Sequence, residues 1–181
     1  MLRIRVADFA EGREFLSGLS GRRIYPLLIA NIDKQPQPTP VFLDFAGVSA
    51  SGSFFSQAIL PLRLYARRMD GYVVVCNLDE ESWDELSWLL DVTPDAIFAC
   101  NLDDDGNVAK PGWIGNLEEK QLLTLRAVAE ESPIDATRLS DKYKDVHATG
   151  WNNRLASLSQ KGLLMEYKNG RSKSYRPVLQ T

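Results

Sequence analysis

Between residues 147 and 176 the chain gathers side chains suited to binding rather than to reacting. Thr149, Asn152 and Asn153 carry a hydroxyl and two carboxamides, groups that donate and accept hydrogen bonds at once. Gly150 sits among them and lets a backbone come close, while Arg154, Lys168, Arg171, Lys173 and Arg176 supply cations. Residues 138–176 hold nine Lys or Arg against three Asp or Glu, whereas residues 1–117 hold ten against sixteen. A basic module on an acidic body fits noncovalent recognition of a polyanion. Covalent chemistry has far less to work with. His147 is the sole histidine and reads as a turn residue or a phosphate contact. The chain has no P-loop, no dinucleotide fingerprint, no nucleophile elbow and no Cys/His metal spacing. The expectation is therefore a protein that is not an enzyme, with no catalytic residue, metal ligand or cofactor. Cys76 and Cys100 end apolar runs and read as buried free thiols. Residues 103–107 (DDDGN) lack the alternation and the distal glutamate of a calcium loop, so they predict a hairpin turn.

The elements that must position the basic module are legible around it. Trp151, Leu155 and Leu158 recur at helical spacing, which makes Trp151 core rather than a base-stacking ring. Lys161-Gly162 is a helix stop, and Asn169-Gly170 between two short runs is a hairpin signal. Upstream, Asn116 and Asp135 are placed to cap helices over residues 117–130 and 136–143. Three helices and a hairpin follow one another, and the run R-L-x-x-L-x-x-K-G-L-L (residues 154–164) precedes the basic hairpin. This segment resembles the recognition helix and wing of a bacterial winged helix-turn-helix regulator. The resemblance implies double-stranded DNA as partner, with Thr149, Gly150, Asn152 and Asn153 at base edges and Arg154 on phosphate. Lys168, Arg171, Lys173 and Arg176 would follow the backbone or minor groove from the wing. It also implies a homodimer on a two-fold site. Winged helix domains serve as protein-docking modules too, and the sequence leaves that alternative open.

In the first half, apolar strand-length runs alternate with helical ones. Residues 2–6, 41–45, 72–76 and 96–100 read as strands, the third fully apolar and hence central. Residues 13–32 read as helical, interrupted at Gly18 and Gly21, with Pro26 near the start of a second helix. Residues 54–69 predict a helix kinked at Pro61, and residues 80–90 one with Trp83, Leu86, Leu89 and Leu90 inward. The pattern is that of an α/β domain with a largely parallel sheet. Residues 111–116 (PGWIGN) read as the joint, giving domains 1–112 and 113–181.

Within residues 41–60, Asp44, Phe45, Gly47 and Val48 close a strand, and Ser53-Phe54 open a helix; Gly21-Arg22 lie upstream. These residues are similar to STAS domains, and closest to a bacterial STAS-like family of unknown function. The full expectation is an α/β STAS-like domain followed by an α+β winged helix-turn-helix domain. In anti-sigma-factor antagonists of the STAS kind the serine matching Ser53 is phosphorylated, so Ser51, Ser53 and Phe54 form the candidate regulatory or partner site. Here Gly52 stands where those antagonists have an aspartate, and the other reading of Ser53 is a plain helix cap. With no membrane-length apolar run and no signal peptide at the N-terminus, a cytoplasmic location is expected. The functional expectation is a DNA-binding transcriptional regulator whose STAS-like half senses a signal or docks a regulatory protein. The alternative is an adaptor in a partner-switching pathway that binds no DNA.

Overall fold

The computed structural model describes residues 2–93, 95–103, 105–170 and 172–180. The β-branched and apolar runs become the strands β1 (Leu2–Arg5), β3 (Thr39–Asp44), β5 (Gly71–Cys76) and β6 (Ala96–Leu102). Among the described residues they form one sheet with β7 (Val108–Gly115), in the order β1-β3-β5-β6-β7, with β5 at its centre and buried along its whole length. The first four pair in parallel, and β7 closes the edge antiparallel to β6. The chain is thus an α/β fold with a mixed central sheet. Three helical segments cross between the parallel strands: α1 (Gly18–Ala30), the run of residues 52–68, and α4 (Glu80–Asp91).

Residues 111–116, expected as a joint, instead lie mostly in β7, where Ile114 pairs with Ile97 and Trp113 with Phe98. A boundary between residues 112 and 113 would cut that strand. Pro111 is tolerated because β7 is an edge strand and the register slips opposite it, between Ala99 and Asn101. The expected break in residues 13–32 also moves. A two-residue strand β2 (Phe15–Leu16) pairs with β4 (Ser49–Ala50), and α1 then runs unbroken through Gly21 and Pro26. Gly21 is a contact point: a methyl there would stand 3.1 Å from the Phe54 carbonyl oxygen and from Gln57 Cβ. Packing against the 52–68 run thus outweighs glycine's low helix propensity. Ahead of Pro61 a π-helical turn, Phe55–Ile59, stands between α2 (Gly52–Phe54) and α3 (Leu60–Arg68). Leu86 and Leu90 of α4 are buried as expected, but Trp83 is 41% exposed and Trp88 74%.

Strand alternation divides the core in two. Val41, Leu43, Val73, Val75 and Ile97 meet α1, the 52–68 run and α4. Phe42, Tyr72, Val74 and Phe98 face the opposite way and belong to one cluster with Leu125, Leu155 and Leu164 of the C-terminal part. That part consists of α5 (Glu119–Glu131), α6 (Ala136–Lys142), α7 (Ala148–Gln160) and the antiparallel ribbon β8 (Leu164–Asn169) with β9 (Ser172–Pro177). Ile134 bridges Tyr175 and adds a minimal third strand to the ribbon. Asp135 caps α6 through the Arg138 N–H (2.9 Å). Asn116 does not cap α5: that place belongs to Glu118, while the Asn116 carboxamide donates to Asp91 (3.2 Å).

Polar contacts reinforce the shared core. The Glu166 N–H donates to the Tyr72 hydroxyl (2.8 Å), and Arg63 and Arg67 reach carbonyls at the end of α7. Cys76 and Cys100 lie opposite each other on β5 and β6 as free thiols, sulfurs 3.5 Å apart. Hydrogen bonding to Cys100, with burial, pushes the Cys76 thiol far above its ordinary range, so it stays protonated. No helix among the described residues is long and apolar enough to cross a membrane.

Candidate nucleic-acid interface

Helix α7 owes its orientation to one apolar stripe. Trp151, Leu155 and Leu158 are buried, and Trp151 packs on Tyr143 with ring centroids 5.6 Å apart. The core reading of Trp151 therefore holds, although its indole N–H is buried without an acceptor among the described residues. Fixing that stripe inward leaves Thr149, Asn152 and Asn153 exposed on the first two turns. Arg154 is half-buried, its guanidinium 5.1 Å from the Trp151 ring centroid. His147 is the exposed N-cap residue and makes no side-chain capping bond. Gly150 has a role that spacing alone did not show. A methyl there would come within 2.9 Å of Val146 Cγ1, so the glycine lets the preceding turn close onto the helix.

The ribbon does not present its cations on one face. Lys168 and Lys173 are cross-strand partners on the face that carries Glu166 and Tyr175. Arg176 lies on the other face, with its guanidinium 5.4 Å from the Tyr167 ring. Arg171 lies outside the described residues. Glu166 sits between the two lysines, 3.1 Å from Lys173 Nζ and 3.7 Å from Lys168 Nζ, and accepts from the Tyr175 hydroxyl (3.2 Å). Burial, with the Glu166 charge beside it, pushes the Tyr175 phenol up, so it remains a donor. The Ser172 hydroxyl is spent within the hairpin, donating to the Asn169 carbonyl (2.8 Å).

The serine site in the first half is rearranged more. Ser51, not Ser53, caps the helical run: its hydroxyl oxygen accepts from the Phe54 N–H (3.3 Å), and its O–H donates to the Leu16 carbonyl (3.2 Å). Ser53 is exposed, and its oxygen instead accepts from the Gly18 N–H (3.0 Å) at the start of α1. Phe54 is fully buried beside Phe45 and Phe55, so it is core and offers no surface to a partner. The amide that a phosphate would seek is also occupied: the Gly52 N–H donates to the Glu85 carboxylate (2.5 Å). Ser51→Ala is expected to cost about 1 kcal/mol, and Ser53→Ala no more than about 0.5 kcal/mol. Urea denaturation of the two variants checks that order; equal losses would return the capping role to Ser53.

Sequence reading missed Arg63 and Arg67, whose positions in an amphipathic helix resemble an ordinary solvated face. The structure turns both towards the C-terminal part, where they line a crevice with Asp95, Ser157, Gln160 and Lys161. Only the fold joins residues so far apart in sequence. No group of three His, Cys, Asp or Glu among the described residues comes together as a metal site. No protein-family model matches the chain, and no curated protein matches it.

Proposed function

We propose that the protein is a DNA-binding transcriptional regulator, its C-terminal part acting as a winged helix on double-stranded DNA. The observation that carries this reading is the outward turn of α7, which leaves Thr149, Asn152 and Asn153 exposed and adjacent while Trp151 and Leu155 anchor the helix. Carboxamides in that position suit bidentate contacts to adenine in a major groove. The helix order, the Ile134–Tyr175 bridge and the ribbon agree with it. The ribbon adds Lys168, Lys173 and Arg176 as phosphate contacts, with Glu166 tempering the charge of the two lysines. The α/β half is read as a STAS-like sensing or partner-docking module, and a homodimer would double the base contacts.

Binding of the full chain to random duplex DNA across a salt series tests this. Affinity is expected to fall steeply as salt rises, and Lys173→Ala/Arg176→Ala to flatten the log–log slope by about 1 to 2. Asn152→Ala is expected to cost about 1–3 kcal/mol on a selected site and little on random sequence. A folded protein that leaves duplex DNA unbound at low salt would remove the regulator reading. The adaptor reading would then lead, with the exposed Trp83 and Trp88 of α4 as its starting surface.

A further inference from the structure

A crevice of about 400 Å³ opens between α3 and the C-terminal end of α7. Its volume lies within the range of small-ligand sites. Leu60, Leu64 and Val73 give it apolar wall, and Arg63 and Arg67 give it two guanidiniums; Lys161 also lines it, its ammonium donating to Gln121 (3.4 Å), and among the described lining residues Asp95 is the carboxylate. Asp95 is already committed to Arg63, at 2.9 Å and 3.3 Å from the two terminal nitrogens. Among the described residues Arg67 is held in place by groups other than carboxylates. Its guanidinium lies 3.9 Å from the Tyr72 ring centroid, and its Nε and Nη2 donate to the Ser159 carbonyl (3.1 Å) and hydroxyl (3.3 Å). Its Nη1 is buried and has no acceptor among the described residues. A buried donor left unpaired is costly, and an oxyanion would complete it once the contact between α3 and α7 opens.

The same two arginines grip α7. Arg63 donates to the Lys161 carbonyl (2.5 Å) past the helix end, and Arg67 adds a bond to the Ser159 carbonyl, which also accepts from the Gly162 N–H (3.0 Å), so cations from α3 sit on the negative end of α7. An anion entering the crevice competes with those carbonyls for the guanidiniums. We propose that this crevice binds a small organic oxyanion, a phosphate ester or carboxylate with an apolar body, and that occupancy resets the position of α7. The consequence for DNA affinity rests on the winged-helix reading; binding in the crevice does not.

The test is an NMR titration of the full chain with phenyl phosphate, alongside benzoate and inorganic phosphate. Leu64 is 66% exposed and Gln160 is exposed, so Leu64→Glu/Gln160→Glu places negative charge at the rim without touching the core. The expected result is a saturable shift of the Leu64, Ser157 and Gly162 amides by phenyl phosphate at millimolar concentration or below. The double variant, with an otherwise native spectrum, is expected to lose about tenfold or more in affinity. Weaker binding of inorganic phosphate would show that the apolar wall contributes, and binding of benzoate would assign the carboxylate class. No saturable shift from any of the three probes, or an unchanged affinity in the double variant, would overturn the proposal. Neither result depends on whether the protein binds DNA.

Discussion

A chain ending at Asn116 is expected not to fold to a soluble monomer, although it contains every strand of the main sheet. The reason is the second face of that sheet. Phe42, Tyr72, Val74, Phe98 and Leu102 are each no more than 8% exposed, and their cluster is completed by side chains of α5, α7 and the ribbon. Stripping that cover returns several hundred Å² of apolar surface to water, on the order of 10 kcal/mol at about 25 cal/mol per Å². A domain of ordinary stability has only about 5–15 kcal/mol in total. The truncation also removes the Glu166 amide from the Tyr72 hydroxyl and the α7 carbonyls from Arg63 and Arg67. Size exclusion and binding of a hydrophobic dye check the outcome. A truncated chain that is monomeric, binds no dye and unfolds cooperatively would show that the halves are independent and the shared core dispensable.

How much of this was legible in the sequence follows from what fixes each feature. The strands and α7 were legible because their signals are local: a continuous apolar run, a 3.6-residue stripe, a glycine stop, an Asn-Gly turn. Gly162 and Gly170 do take positive φ, +78° and +61°, as those stops require. Residues 111–116 misled because proline and glycine usually punctuate, whereas an edge strand beside a bulge tolerates both. The second cover of the sheet was hidden for a related reason. A strand buried on both faces looks the same whether its second cover comes from its own helices or from a segment much later in the chain. Ribbon charge was legible as a sum but not as a distribution, since only the cross-strand register shows Lys168 and Lys173 on one face and Arg176 on the other. The Arg63–Arg67 crevice has no local signature at all.

The motif around Asp44 leads to the remaining large effect. Asp44 ends β3 with its side chain fully buried, yet it is ionised. Burial alone pushes this carboxyl up. The Ala46 N–H (3.0 Å), the Arg3 guanidinium (2.6 Å) and the Asn77 carboxamide (2.7 Å) outweigh it and hold the carboxyl below the ordinary aspartate range. Asn77 in turn accepts from the Leu102 N–H (2.8 Å), so one carboxylate ties the ends of β1, β3, β5 and β6 together. Asp44→Ala leaves Arg3 free to reach water, because its side chain is 31% exposed, but it orphans the Ala46 amide and the Asn77 carboxamide. At about 1–3 kcal/mol for each unpaired group, the expected loss is roughly 3 kcal/mol. The pH dependence has a definite sign. A carboxyl whose folded pKa lies below its unfolded value of about 3.9 contributes fully above that value. The contribution disappears as pH falls through the folded pKa. Denaturation of wild type and Asp44→Asn across that acid range is expected to show a shallower acid limb in the variant. A loss below about 1 kcal/mol at neutral pH, with parallel acid limbs, would mean that Arg3 and Asn77 find other partners. Asp44 would then no longer be the tie at the strand ends, and the shape of this loop would rest on Gly47, at φ +83°, and the buried Phe45 and Val48 instead.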